Sequence, residues 1–439
     1  MKTETESIPT ISSSNGLPIL KELTKQRSLL AGLEAMHKEL GNIFEISMPG
    51  FKPIVLSGPE VAREILVTQR FQFTWRNDSD PVTRLLRHGL LVEDGEFHDT
   101  LRGYMQPALQ RSRTNNYLPV MLACTNRVLE SWEDGSTKDM LVEMRKLALM
   151  ILMEALFSVD IAPDLPRLWE SILKVLRYIS PGLWLINSKF PRPGYRNSIN
   201  KLDEYLYAII SERRQKGDDK EDMLADLINQ ESMDDDLIRD QMLTMLIAGH
   251  DTSTALLSWA LYLLGRYPEV MKRARDEVDT VMGTDEPTLT KVNQLHFVEQ
   301  IIKEALRLFP PIHVGNRITN VDQNLAGCPV PKGSRVMLSY YLTHRDEQHW
   351  EQAERFNPDR FDRQTNHERS SYSYLPFGGG PRNCIGAAFA QIESRVVLAR
   401  ILQDFDLNLI SQSVTKHMGA TLEPTPGVLM RLQKRDHVK

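Results

Sequence analysis

Apolar residues recur at three- and four-residue steps along most of the chain, a spacing that predicts amphipathic and buried helices. The pattern covers about 20–40, runs with few breaks from about 59 to 310, and returns at about 385–404. Short strand-like runs are expected between and after these helices, at 44–48, 53–58, 316–343 and beyond 405. The predicted fold class is therefore mainly α with minor β.

No Pro/Gly/Ser-rich linker or internal repeat divides this pattern. We therefore predict a flexible tail over residues 1–16 and a single domain over 17–439. One long break, SPGLWLINSKFPRPGY (180–195), is expected to be a loop between two helices. Its apolar residues have three interpretations that the sequence leaves open: a lid, an edge that touches a membrane, or ordinary core.

Composition narrows the class of protein. The 439 residues are 41% hydrophobic and 25% charged, and the net charge of −5 gives no reason to expect nucleic acid. The N-terminus has no apolar h-region and no apolar run approaches the ~20 residues of a spanning helix, so we expect a cytoplasmic protein without a membrane-spanning anchor. The cysteines at 124, 328 and 384 form no CxxC pair, and a disulfide framework is not expected.

One predicted helix, 233–266, carries poor helix formers in its middle. Its ends are well marked, because acidic residues occupy the first turn and Pro268 follows the last. Gly249, Asp251 and Thr252 stand where a buried helix would normally hold leucine. The stretch is either a tolerated polar patch or a widened groove that holds water beside an acid and an alcohol. The second interpretation would allow protons to enter a buried site.

A second unusual stretch, FGGGPRNCIG (377–386), places Cys384 among glycines and a proline. Such residues are costly unless the backbone takes an unusual path or approaches another group closely. We expect Cys384 to be a metal ligand in this loop. Glu304 and Arg307, three residues apart on a predicted helix at 291–311, form a pair that is a weak signal by itself.

Four motifs together resemble the cytochrome P450 family in order, spacing and kind: AGHDTS (248–253), EALR (304–307), FNPDRF (356–361) and FGGGPRNCIG. DGEFHDTLR (94–102) is similar to a further helix motif of that family. The resemblance implies the P450 fold, a single triangular helix-rich domain with small N-terminal and C-terminal β-sheets. Ala353 departs from the family pattern, which usually has proline there, but touches no chemistry.

The resemblance also assigns roles to residues. Cys384 would be the axial thiolate of haem b (iron protoporphyrin IX), and Asp251 and Thr252 would deliver protons during dioxygen activation. The glycines at 378–380 and the start of the following helix would favour the ionised thiol and lower its pKa. The other expected cofactor contacts are His98, Arg102, Arg317 and Arg382 at the propionates, and Phe377, Gly378, Gly386, Ala248 and Gly249 around the ring. Glu304, Arg307 and Arg360 would form a structural ion-pair network that braces the cysteine loop.

The function implied is a monooxygenase that inserts one oxygen atom from O2 into a C–H or C=C bond of an apolar small molecule. Because 439 residues leave no room for a fused reductase, electrons are expected from a ferredoxin or flavodoxin with its reductase, docking at Arg102, Arg111 and Arg113. Two alternatives stay open: a peroxide-using or phenol-coupling haem-thiolate enzyme, and a haem-based sensor or carrier. The substrate class is also open.

Overall fold

The computed structural model describes residues 7–11, 29–48, 50–181, 193–217, 220–362, 369–410 and 413–436. Residues 1–6 and 12–16 of the predicted tail, and 182–192 of the predicted loop, lie outside these ranges. Residues 7–11 of the tail are described. The backbone N–H of Glu45, in the first strand, donates to the Pro9 carbonyl at 2.8 Å, so this part of the tail lies against that strand.

Helices make up most of the described residues, which confirms the predicted fold class. They are α1 (Leu29–Leu40), α2 (Pro59–Arg63), α3 (Pro81–Leu86), α4 (Gly95–Leu109), α5 (Arg111–Thr114), α6 (Leu118–Glu130), α7 (Met140–Phe157), α8 (Leu165–Ile179), α9 (Arg196–Lys216), α10 (Met223–Ile228), α11 (Asp235–Arg266), α12 (Pro268–Met282), α13 (Leu289–Gln294), α14 (His296–Leu308), α15 (Tyr340–Thr343) and α16 (Ala387–Asp404). In the described part of the chain, no helix is both long and apolar enough to cross a membrane.

The strands are β1 (Ile43–Glu45), β2 (Ile54–Leu56), β3 (Phe73–Thr74), β4 (Thr137–Asp139), β5 (Val314–Thr319), β6 (Gln323–Leu325), β7 (Cys328–Val330), β8 (Arg335–Ser339), β9 (Phe405–Leu409), β10 (Thr415–Met418), β11 (Leu422–Thr425) and β12 (Leu429–Lys434). The N-terminal hairpin β1–β2 extends into a five-stranded sheet of order β1-β2-β8-β5-β3, in which β2 and β8 are parallel. A three-stranded sheet, β4-β12-β9, and the hairpins β6–β7 and β10–β11 complete the β part.

Helix α11 is the central element and begins and ends close to the predicted bounds. The Asp234 carboxylate accepts from the Leu237 N–H at 2.8 Å, and this N-cap together with two acids in the first turn stabilises the start of the helix. Pro268 follows the last turn. The helix packs against α7, α9, α14 and α16, so its middle lies inside the protein.

Two other predicted helices have different bounds. The helix expected over 291–311 is two helices, α13 and α14, separated at Leu295, and the second ends at Leu308. The Glu277 carboxylate accepts from the Phe297 and Val298 N–H groups at 2.7 and 2.9 Å, which caps α14 from a distant element. The last helix begins at Ala387, two residues later than expected.

Candidate active site

The cysteine loop takes an irregular path that its glycines permit. Gly378 and Gly380 have φ of 68° and 67°, a region that other residues rarely adopt. A Cβ on Gly380 would lie 2.2 Å from the Leu66 carbonyl oxygen, so only glycine fits there. The Cys384 N–H donates to the Phe377 carbonyl at 2.9 Å and closes the loop. These contacts fix the position of the sulfur.

The Cys384 sulfur lies close to the Gly386 N–H and within electrostatic reach of Arg102. The residue is exposed, yet enough protein surrounds its thiol that burial raises the thiol pKa. The Gly386 N–H and the Arg102 charge lower that pKa in part. In the protein alone the net direction of the thiol pKa is upward, because desolvation outweighs both; the lowering predicted for the sulfur beneath a metal stays a prediction. The amide that acts on the sulfur belongs to Gly386, and not to the glycines at 378–380 that the sequence suggested.

Three arginines and a histidine lie around the same loop. Arg102 donates to the Asn383 carbonyl and side-chain oxygen, both at 2.9 Å, beside the cysteine. Arg382 donates to Asp94 at 2.9 Å. His98 contacts Asp99 through Nδ1 at 2.9 Å. Arg317, only 8% exposed, lies with its guanidinium carbon 4.7 Å from the Trp75 ring centroid. The predicted propionate partners are therefore close neighbours.

The charges of this cluster repel one another. Burial lowers the pKa of His98, and the Arg382 and Arg102 charges lower it further. Burial also lowers the pKa of Arg382 to about 10, with Arg317 contributing. Arg317 donates to the Asn316 carbonyl at 2.7 Å, and among the described residues no carboxylate lies within 4 Å of it. The Asp94 charge acts on Arg317 only from beyond 4 Å, and a buried guanidinium without a close counter-ion is costly, so the site suits an anionic ligand.

The middle of α11 presents an open face. Between Ile238 and Leu261, only Ala248, Gly249 and Thr252 are not fully buried. The Thr252 hydroxyl donates to the Ala248 carbonyl at 2.8 Å, one turn earlier, as the sequence predicts. A Cβ on Gly249 would lie 2.2 Å from Leu152 Cδ1, so the glycine admits helix α7 rather than a ligand on that side.

Asp251 points away from Thr252. Its carboxylate accepts from the Thr421 hydroxyl at 2.9 Å and lies 3.5 Å from Arg145 Nη2. Arg145 also pairs with Glu423, which follows Thr421 near the hairpin β10–β11. Sequence reasoning missed these three partners. Arg145 carried a usable signal, since it stands inside the strongly apolar helix MLVEMRKLALMILMEALF.

The side chains of Glu304, Arg307 and Arg360 contact one another, as predicted for the ion-pair network. Arg307 donates to the Glu304 carboxylate at 2.7 and 2.8 Å, and Arg360 Nε lies 3.3 Å from it. Arg307 also donates to the His344 carbonyl at 2.9 Å, and His344 Nε2 accepts from the Leu375 N–H at 2.7 Å. A continuous set of hydrogen bonds thus connects this network to the segment before Phe377.

A further buried acid, Glu393 on α16, was not predicted. It is 2% exposed and accepts from the Ser253 hydroxyl, next to Thr252, at 2.5 Å. Burial raises its pKa to about 8. Glu393 is therefore largely protonated near neutral pH.

The raised pKa of Glu393 has a consequence for stability. Because the folded state holds this proton more tightly than the unfolded state, its contribution is complete at acid pH and declines as pH rises from the ordinary glutamate pKa towards about 8. The slope in that window is about 1.4 kcal/mol per pH unit for one group. We expect Glu393→Gln to gain stability relative to the parent protein between pH 5 and pH 8 in urea denaturation. The exposed Glu60→Gln is the control, and equal pH slopes for both variants would contradict this assignment.

Comparison with known proteins decides the family. The sequence model of cytochrome P450 matches residues 14–436. The chain belongs to the cytochrome P450 family. This P450 is 31% identical to a cyclooctat-9-en-7-ol 5-monooxygenase of Streptomyces melanosporofaciens, over 82% of the chain and 81% of that protein. It is 29% identical to a pentalenene oxygenase of Streptomyces avermitilis, over 83% of the chain and 84% of that protein.

Solved structures agree on the fold. The crystal structure of the cytochrome P450DA heme domain superposes with a TM-score of 0.87 at 24% identity, covering 99% of both chains. The expected P450 fold is confirmed. The P450 is accordingly a monooxygenase, an oxidoreductase that uses O2, a haem-thiolate iron cofactor and electrons from a redox partner.

Proposed function

We propose that this P450 inserts one oxygen atom from O2 into a C–H or C=C bond of an apolar cyclic molecule, with Cys384 as the thiolate ligand of haem b. The position of Cys384 carries the proposal: its sulfur is approached by the Gly386 N–H, and the residue next to it, Asn383, accepts from the cationic Arg102. A thiolate donates electron density to haem iron and favours O–O cleavage, which is the chemistry the cofactor supplies.

The residues around Cys384 fit an iron porphyrin. The sulfur is a soft ligand, and coordination of a metal cation would overcome the effect of burial and keep the thiol ionised. Arg102, Arg317 and Arg382, with His98 through its second ring nitrogen, would bind two carboxylates, and Arg317 has no other counter-ion within 4 Å in the described part of the chain. Phe377 would pack against the ring and the sulfur. Gly378 and Gly386 on one side and Ala248, on the partly exposed face of α11, on the other would face the flat group, whereas the side of Gly249 that lacks a Cβ is filled by Leu152 of α7.

Protons would reach the site along α11. Asp251 would supply them through water, and Thr252 would hold that water in the groove where the helix is partly exposed. The Thr252 hydroxyl, which donates to the Ala248 carbonyl at 2.8 Å, keeps lone pairs for a water donor. An acid and an alcohol here favour dioxygen activation over peroxide use or phenol coupling. A haem sensor or carrier would not need this pair.

The substrate class is proposed from the names of the relatives. One acts on cyclooctat-9-en-7-ol and another is named for pentalenene, and both names denote unsaturated carbon skeletons with little oxygen. We place this P450 in secondary metabolism of such cyclic alkenes and alcohols, in the cytoplasm. Residues 17–439 would act as one domain, and by resemblance to the family residues 419–430, which include the turn and second strand of the hairpin β10–β11, would line the substrate pocket.

A titration tests the substrate class. Cyclic terpene hydrocarbons and alcohols, added to the purified holoenzyme, are expected to shift the haem Soret band at micromolar concentration, whereas fatty acids and macrolides of similar size are not. Turnover under isotopically labelled O2 should then place one labelled oxygen atom in the product. Label from water instead of O2 would contradict a monooxygenase, and a response limited to fatty acids would contradict the substrate class alone.

Electrons are proposed to come from a separate ferredoxin or flavodoxin with its reductase. Arg102 contacts the cysteine loop, and Arg111 lies within electrostatic reach of Arg395, which lines a crevice beside Phe377. Arg113 is less available, because it pairs with Asp226 at 2.6 Å. These cations make a basic face for an acidic partner.

Charge reversal at Arg111 tests this face. We expect Arg111→Glu to slow reduction by a heterologous ferredoxin about tenfold at low salt and less at high salt, because steering by charge is screened. Stopped-flow absorbance with the haem-loaded protein measures the rate. Lys52→Glu, on the turn between β1 and β2, makes the same charge change and should leave the rate unaltered. Equal rates for both variants would remove Arg111 from the docking face.

A further inference from the structure

Three side chains from two distant parts of the chain converge on Asp251. Arg145 comes from α7, whereas Thr421 directly precedes the C-terminal hairpin strand β11 and Glu423 lies within it. The Thr421 hydroxyl lies 2.9 Å from Asp251 Oδ2 and 3.5 Å from Glu423 Oε1. One hydroxyl therefore stands between two carboxyl groups.

We propose that Glu423, Thr421 and Asp251 form a carboxyl–hydroxyl–carboxyl proton relay that recharges Asp251 from the solvent side. This inference rests on the proposed function, in which Asp251 supplies protons. In one passage, the proton on Glu423 moves to the Thr421 oxygen while the hydroxyl proton of Thr421 moves to Asp251. Glu423 becomes a carboxylate, Asp251 becomes an acid and the threonine is regenerated, so a single proton is transferred.

The charges of the cluster favour one shared proton. Two carboxyl groups face a single guanidinium, Arg145, which pairs with Glu423 and lies 3.5 Å from Asp251 Oδ1. Burial raises the pKa of Glu423, the Asp251 charge raises it further, and Arg145 lowers it. His250, the neighbouring titratable group on α11, stays neutral because burial lowers its pKa to about 4. Glu423 is thus the group suited to carry the proton.

Exposure gives the relay a direction. The Glu423 side chain is 19% exposed, whereas that of Asp251 is 4% exposed. Glu423 can exchange protons with solvent, and Asp251 depends on an intermediary. Thr252, next in sequence to Asp251, lies on the partly exposed face of α11. Protons would therefore pass from the hairpin side of the helix to the groove side.

The hairpin is held in register for this transfer. Trp259 on α11 donates through Nε1 to the Leu422 carbonyl at 2.8 Å. Leu422 stands between the two relay residues of the hairpin, so this bond holds both of them against the helix. The Ala420 N–H donates to Ser180 Oγ at 3.1 Å on the other side of Thr421. Because the same hairpin is proposed to line the substrate pocket, a bound substrate that shifts it would also alter proton supply.

The test uses Thr421→Val, which removes the hydroxyl with little change of shape, and Thr421→Ser, which keeps it. The assay uses the holoenzyme with a heterologous ferredoxin and its reductase. We expect Thr421→Val and Glu423→Gln to slow oxygen consumption about tenfold, which is less than the 10²–10⁴-fold loss typical of a removed general acid. Both variants should also enlarge the solvent deuterium isotope effect. Thr421→Ser should stay within about twofold. Thr415→Val, an exposed change on the same hairpin, is the control.

A second readout does not depend on turnover. Infrared difference spectra of the full chain between pH 5 and pH 8 should contain a protonated carboxyl band that disappears in Glu423→Gln and shifts in Thr421→Val. If Asp251→Asn leaves oxygen consumption and its isotope effect unaltered, the role of Asp251 fails. If Asp251→Asn slows the reaction while Thr421→Val and Glu423→Gln match Thr415→Val in both readouts, the relay alone is overturned.

Discussion

Arg307→Met is expected to be the most destabilising substitution in the ion-pair network, with a loss of about 3–5 kcal/mol in the free energy of unfolding. Arg307 is fully buried and donates to the Glu304 carboxylate and to the carbonyls of His344, Ala353 and Arg355 at 2.6–3.2 Å. Its removal leaves the buried Glu304 carboxylate with only Arg360, at 3.3 Å, as an ion-pair partner among the described residues. Breaking one side of a buried pair typically costs about 3–5 kcal/mol, which is a large share of the roughly 5–15 kcal/mol that holds a protein folded.

Urea denaturation of matched variants measures this effect. Arg273→Met breaks a two-bonded pair with Asp359, but both side chains are about half exposed, so a loss of at most ~1 kcal/mol is expected. Glu304→Gln combined with Arg307→Met should recover part of the loss, because the buried charge is then gone. An Arg307→Met protein that unfolds at the same urea concentration as Arg273→Met would show that the network does not brace the fold.

The second large effect concerns Thr252. In Thr252→Ala, we expect electrons to be consumed at a near-parental rate but to appear as peroxide, so that product per electron falls by about two orders of magnitude, as for a lost proton-transfer group. Asp251→Asn should instead slow electron consumption itself. The difference follows from position, since Thr252 lies on the open face of α11 whereas Asp251 is bonded on the hairpin side.

Helix α11 supplies its own control for this experiment. The Thr254 hydroxyl donates to the His250 carbonyl at 2.8 Å, the same kind of bond that Thr252 makes, but Thr254 is fully buried. Thr254→Ala therefore removes a similar bond without altering the groove, and should keep product and electron use coupled. Assays that count product, peroxide and reduced nicotinamide cofactor together distinguish the two variants. Normal coupling in Thr252→Ala would remove Thr252 from proton delivery.

Local sequence patterns predicted the helices and strands better than the contacts between them. The bounds of α11 follow from residues next to each other, such as the Asp234 cap and Pro268, so they could be predicted. The break at Leu295 could not, because the cap of α14 comes from Glu277 on another helix. Similarly, β2 pairs in parallel with β8, some 280 residues later, a register that depends on the whole fold.

In the candidate site, too, local motifs could be predicted from the sequence, whereas contacts between distant segments could not. The motif around Cys384 identified the loop, since glycine and proline there have no other ready explanation. The motif could not show that burial raises the pKa of the thiol in the protein alone, because burial around the sulfur is a property of the packed protein and not of the motif. Arg145, Thr421 and Glu423 could not be connected to Asp251 from sequence, since they reach it only after the C-terminal hairpin packs against α11.

The central claim is that the Cys384 sulfur binds the haem iron. X-ray absorption at the iron edge of the purified holoenzyme tests it directly. We predict one sulfur neighbour at the iron in the parent protein and in Cys124→Ser, and its replacement by a nitrogen neighbour in Cys384→His. An unaltered sulfur neighbour in Cys384→His would contradict the account.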